Sequence, residues 1–253
     1  MEMTFDDYIS APMGKNNAVI SHREMYRNLY KDKLDAILLR ERGKVKYELY
    51  TSKNKFYVHM HVPSEVVPEF YYDTVIEFYT DNSAYKTSRT ISNYNVRFYS
   101  NDPSFVYTFA YSMLKNKMFI KDLVPRMSKQ AVKNAAKERN PKNTLGYVKS
   151  IYFTYLLMKK YGLFNKINFK AYGKKYNQKV LLKNIVHADT KIKNRQIEAE
   201  KISAKKKSEK KKAKRKKTQN TKSITTNNNT KVAKTTKRIS ASNTNRSKTA
   251  KRI

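Results

Sequence analysis

The chain has 253 residues, with 55 Lys and Arg against 20 Asp and Glu and a formal net charge of +35. It has no cysteine, which excludes disulfides, thiolate zinc sites and a cysteine nucleophile. No run reaches the roughly 18 uninterrupted apolar residues of a membrane helix, and the acidic stretch Met1 to Ser10 lacks the basic-then-apolar order of a signal peptide, so the expectation is a soluble, intracellular protein.

The charge and the aromatic residues divide the chain. Ser203 to Ile253 holds 19 Lys and Arg and one acid, Glu209, whereas the preceding 202 residues hold 36 bases and 19 acids. All 31 Tyr and Phe lie between Phe5 and Tyr176. A segment without aromatics and with high net charge buries too little apolar surface to offset its ordering entropy. The expected organisation is therefore an aromatic-rich domain over 1–200 and a disordered Lys-rich tail over 201–253.

Ser21 and Glu24 have the spacing of a capping box. With Met25, Leu29, Leu34, Ile37 and Leu38 at helical spacing, they predict a helix over 22–40 that ends near Gly43. The period then shortens to two. Val45, Tyr47 and Leu49, and then Phe56, Val58, Met60 and Val62, alternate with polar residues about a turn at Thr51 to Lys55. That is an antiparallel hairpin with one buried face. Pro63 and Pro68 bracket a loop, Tyr71 to Tyr79 is a third strand, Asp81 to Ser92 a connection, and Tyr94 to Tyr99 a fourth strand.

Asp102 followed by Pro103 is a helix start, with Asp as cap and Pro where its missing N–H costs nothing. Phe105, Val106, Phe109, Ala110, Met113 and Leu114 supply its apolar face. A short apolar segment, Phe119 to Val124, stops at Pro125, and Ser128 caps a small basic helix to about Arg139. Thr144 opens a helix with Tyr147, Val148, Ile151, Tyr152, Tyr155 and Leu156 on one face, closed at Tyr161 and Gly162. Ile167 to Tyr172 is expected as a short strand. A last helix from about Lys175 carries Val180, Leu181, Ile185, Ala188 and Ile192 and frays beyond Arg195. The fold class is α+β: a mainly antiparallel sheet of about four strands within 44–100, with flanking helices that occupy 102–195, and the disordered basic tail.

The tail carries the strongest chemical signal. Lys205, Lys206, Lys207, Lys210, Lys211, Lys212, Lys214, Arg215, Lys216 and Lys217 form an almost continuous cationic block. Cations on phosphates release condensed counterions, so they bind without reading sequence. The excess of Lys, a hydrated point charge, over Arg favours phosphate contact over base readout. Lys129, Lys133 and Lys137 recur every four residues and would extend the surface as a helical stripe. Such runs also serve as solubilising segments or transport signals.

Two further features are weaker. Tyr57 and Tyr99 fall on the expected outer face of the sheet, where aromatics can stack unpaired bases, or where they simply pack. His59 and His61 are alternate strand residues on one face. His-x-His can hold a metal if His22, His187 or a carboxylate completes it, but two exposed strand histidines are the simpler reading. Glu65, Glu69, Asp73 and Glu77 are spaced by four, yet Pro68 and the strand pattern exclude a carboxylate helix face. There is no Gly-rich phosphate loop and no hydrolase or metalloprotease signature. No catalytic residue, metal or cofactor is assigned.

The stretches Asn95 to Tyr111 (NVRFYSNDPSFVYTFAY) and Asn140 to Tyr155 (NPKNTLGYVKSIYFTY) resemble uncharacterised proteins of tailed bacteriophages. The resemblance spans most of 1–195 and implies a viral setting without an activity. The resulting expectation is a sequence-nonspecific nucleic-acid-binding phage protein, not an enzyme, with DNA ahead of RNA as partner. The alternative is a virion or assembly component whose tail contacts packaged genome and whose core meets other phage proteins. A nucleic-acid-processing enzyme comes last. The expected location is host cytoplasm or virion, with no membrane partner.

Overall fold

The structure is a computed structural model describing residues 2–10, 32–43, 45–134, 140, 145–146 and 148–213, with the backbone alone at 133–134. The chain divides into two compact units, Met1–Ala199 and Glu200–Ile253.

The first unit is built on the hairpin pattern. Strands β1 (Tyr47–Ser52), β2 (Lys55–Pro63), β3 (Tyr71–Tyr79) and β4 (Asn95–Ser100) form an antiparallel meander. The four expected strands are all present, and the first turn shrinks to Lys53 and Asn54 because pairing extends to Ser52 and Lys55. A fifth strand, β5 (Lys174–Lys175), joins parallel to β1 and gives the order β4-β3-β2-β1-β5. The sheet is therefore mixed and five-stranded, where four antiparallel strands were expected. Two lysines carry no strand pattern; β5 exists because its backbone covers the open edge of β1. The opposite edge, β4, is covered by 118–120, with Phe98 N donating to Met118 O at 2.8 Å and Ile120 N to Phe98 O at 3.2 Å.

One face of the sheet is the aromatic core. Helix α1 (Phe5–Ser10) starts at a capping box in which Asp7 N donates to Thr4 Oγ1 at 3.1 Å and Thr4 N to Asp7 Oδ2 at 3.2 Å. It inserts Phe5 among Phe78, Phe98, Tyr155 and Phe164, with ring centroids 5.1–6.4 Å apart. Helix α2 (32–40) buries Leu34, Ile37 and Leu38 and ends as expected at Gly43, whose φ of +70° lets its N–H reach Leu38 O. The expected start of this helix, 22–31, lies outside the described residues.

Helix α3 (Ser83–Thr87) interrupts the long connection. The helix at Asp102 begins as read, with Ser104 N donating to Asp102 Oδ1 at 2.8 Å. Its first part, Phe105–Phe109, is a π-turn, and α4 (Ala110–Lys115) continues it. The 3-10 helix Lys121–Arg126 and α5 (Lys129–Asn134) follow. Helix α6 (Lys149–Lys160) lies on the core face and closes at Gly162, φ +63°.

Three expectations fail after α6. Residues 167–172 belong to a helix, α7 (Lys166–Tyr172), because Asn165 caps it by accepting from Ile167 N. The single last helix is two: α8 (Gln178–Asn184) stops at an extended Ile185, and α9 (188–199) begins anew. The periodic apolar residues continue through the break, so the pattern concealed it. Finally, 195–213 neither fray nor lack structure. Residues 200–213 of the second unit are helical, and 214–253 lie outside the described residues. Lys, Glu and Ala are strong helix formers, so local propensity orders a segment that has no core to bury. Among the described residues no helix is long and apolar enough to cross a membrane.

Candidate functional site

The second face of the sheet was read as solvent-facing. It is covered instead. The 3-10 helix and α8 lie over it, Tyr176 stacks on Tyr57 with centroids 4.2 Å apart, and Tyr99 OH donates to Arg126 O at 3.0 Å. Tyr57 and Tyr99 are both 1% exposed, which removes them as base-stacking platforms. The packing reading of these tyrosines holds.

Under that cover the strand register assembles a polar network. Glu48 pairs with His59 across β1 and β2, and His61 with Asp73 across β2 and β3. Alternate residues share a face, so these four side chains meet. Asp73 Oδ1 lies 3.1 Å from His59 Nε2 and 3.1 Å from His61 Nδ1. Asn101 fixes the carboxylate from behind: its Nδ2 donates to Asp73 Oδ2 at 2.8 Å, and Asp73 N donates to Asn101 Oδ1 at 2.8 Å. On the other side, Tyr50 OH donates to Glu48 Oε2, and Lys174 Nζ to Glu48 Oε1 at 2.6 Å. His59 Nδ1 is 3.8 Å from Glu48 Oε2, an ion-pair distance too long for a hydrogen bond, and is buried with no hydrogen-bond partner among the described residues.

Burial sets the electrostatics. His59 is 0% exposed and Asp73 3%, while the His61 side chain is 32% exposed. Burial opposes a charge on His59, but the Asp73 and Glu48 carboxylates outweigh it and raise the imidazole pKa. Burial likewise opposes ionised Asp73, and the two imidazoles outweigh it, holding the carboxyl well below the usual carboxylate range. Glu48 is also held low, chiefly by His59. The two histidines are thus not a pair of exposed strand residues; a carboxylate from the neighbouring strand joins them. Sequence reading weighed the histidines and noted Asp73 separately. The period-two spacing of both strands was visible, and only the register that joins them was not.

Two other polar groupings stand apart. Glu77, 2% exposed, takes Arg97 at 2.8 Å and Lys55 at 3.0 Å. A cavity of about 380 Å³ opens beside the start of the Asp102 helix, lined in part by Tyr72, Asp102, Lys149 and Arg195. Burial raises the Asp102 carboxyl, and Arg195 Nε has no hydrogen-bond partner.

The cationic candidates divide by description. Lys205, Lys206, Lys207, Lys210, Lys211 and Lys212 are all exposed on the helix of the second unit. Lys214, Arg215, Lys216 and Lys217 lie outside the described residues. Lys129 is exposed at the start of α5, whereas Lys137 and the side chain of Lys133 lie outside the described residues, so the stripe itself is not in view. Three lysines of the helical half are engaged by acids: Lys149 holds Glu65, Lys159 approaches Asp6 at 3.5 Å and Lys174 holds Glu48. No family model, curated protein or solved structure matches the chain.

Proposed function

We propose that this protein binds nucleic acid without sequence preference, in a phage setting and with DNA ahead of RNA, through its Lys-rich C-terminal segment. The observation that carries the reading is the helix at 200–213, where six lysines of the cationic block stand exposed with Glu209 as the one acid among them. Lysines presented in this way meet phosphates as point charges and carry no base-reading geometry. The loss of Tyr57 and Tyr99 to the interior points the same way, because it removes the two sheet aromatics read as stacking platforms and leaves the phosphate contacts of the lysines.

The test is affinity against salt for duplex and single-stranded DNA of unrelated sequences, with the full chain and with residues 1–202. A chain making about 6–10 phosphate contacts loses roughly 10³–10⁵ in affinity between 50 and 200 mM salt. The full chain is expected in that range on every sequence, and the truncated chain well below it. Equal salt slopes for the two would remove the role of the segment.

A further inference from the structure

We infer that His59, His61 and Asp73 form a binding site for a divalent first-row transition metal ion on the covered face of the sheet. The inference concerns the folded unit and stands whether or not the lysine segment binds nucleic acid.

His59 Nε2, His61 Nδ1 and Asp73 Oδ1 lie within 4.8 Å of one another, and each imidazole nitrogen is 3.1 Å from the carboxylate oxygen. An ion with bonds of about 2.0–2.1 Å places neighbouring donor atoms roughly 2.8–3.4 Å apart, from right-angled to tetrahedral geometry. The two measured edges already fall in that range.

Without an ion, both imidazoles must donate to the same oxygen of Asp73. His59 Nδ1 is then buried with no hydrogen-bond partner among the described residues, and meets Glu48 only at ion-pair distance when the ring is protonated. With the ion on Nε2, the single proton of a neutral ring moves to Nδ1, which faces Glu48 Oε2 at 3.8 Å. A carboxylate behind a metal-bound imidazole, orienting it and fixing its tautomer, is the usual outer shell of such sites. Asn101 does the same for Asp73 with its reciprocal pair of hydrogen bonds.

Lys174 is already committed to Glu48. The partly exposed His61 ring gives the ion a way in and leaves coordination positions for water. Two imidazoles and a carboxylate suit zinc, iron, nickel or manganese, and three protein ligands leave a position open, as in reactive rather than structural sites.

The experiment uses the full chain, stripped with a chelator and then titrated with Co²⁺ while the visible ligand-field absorption is followed, with Zn²⁺ added last. The expected result is one Co²⁺ per chain, displaced by Zn²⁺, with affinity lowered more than tenfold in His61→Gln and Asp73→Asn and unchanged in His187→Ala. His61→Gln replaces a partly exposed side chain, and circular dichroism checks that it is folded, so the test survives if Asp73→Asn does not fold. Zn²⁺ should also raise the melting temperature of the native chain and not that of His61→Gln. Absence of stoichiometric Co²⁺ binding by the folded chain, undiminished binding by folded His61→Gln, or loss of binding in His187→Ala would each overturn the assignment.

Discussion

Replacing Lys206, Lys207, Lys210 and Lys211 by Gln removes four charges from one side of the helix at 200–213. At 100° per residue these four positions span about 140° of arc, and the opposite side carries Lys201, Lys205 and Lys212 with Glu209 among them. Gln and Lys have similar helix propensities, so the helix is retained. If this side, on which Glu200 is the one acid, lies along a duplex, four phosphate contacts vanish, and the slope of log affinity against log salt falls by about 3.6 on a duplex and about 2.8 on a single strand. Between 50 and 200 mM salt the native chain then loses about 150-fold more duplex affinity than the variant. Fluorescence anisotropy with labelled duplexes of two unrelated sequences measures this. The companion variant with Gln at 201, 205 and 212 is expected to change the slope by less than about one unit, since these lysines face away from the contact side and neutralise no phosphate. Equal slope changes in the two variants, or a change below one unit in the first, would refute the argument that one side of this helix makes the contacts.

The network at Asp73 predicts a specific pH dependence in chelator. The lowered Asp73 pKa gives stability present above the unfolded value of about 3.9 and lost as pH falls through the folded value. The raised His59 pKa gives stability present below about 6.5 and lost as pH rises through the folded value. Asp73→Asn should therefore cost most between about pH 4 and 6.5, on the order of 3 kcal/mol, and less at pH 9; urea denaturation at pH 5 and 9 compares them, and a pH-independent cost contradicts the charge assignment. Asp102 has the opposite sign: its raised carboxyl pKa weakens folding as pH rises above about 3.9. Asp102→Asn keeps the helix cap and should be more stable than the native chain at pH 7 but not at pH 3, whereas Asp102→Ala should lose about 1 kcal/mol by loss of the cap. Gly173→Ala would set a Cβ against Phe169 O, inside van der Waals contact, and 2.9 Å from Thr51 Cγ2. The expected cost of about 1–3 kcal/mol lowers the melting temperature by roughly 2–10 °C, read by calorimetry.

Short-range signals were legible where they act on the backbone alone. The pair Asp102 and Pro103 starts a helix, and Gly43 and Gly162 end helices with positive φ, because each effect involves only neighbouring residues. The hairpin was legible because a period of two survives in its sequence, and the third strand because its residues are β-branched and aromatic. Residues 166–172 were not: Asn165 caps a helix there, while Ile167 and Phe169 alternate like a strand. Strand β5 left no trace, since two exposed lysines pair with β1 through backbone groups that every residue has.

The sequence by itself determined the charge and its concentration in 205–217, the aromatic wealth of the first unit, the order of the main strands and the places where several helices start and stop. These depend on composition and on contacts between near neighbours. Only the tertiary structure decided which polar residues are inside. Glu48, His59, His61, Asp73 and Glu77 alternate with apolar neighbours, a pattern that serves equally for a wet face and for a covered face whose polar groups satisfy one another. The choice between the two was made by the 3-10 helix and α8, which close over the face, and by a register that brings Asp73 beside His61. Register joins residues distant in sequence through backbone hydrogen bonds that do not depend on side-chain identity, and for that reason the meeting of two histidines and an aspartate became visible only in the folded chain.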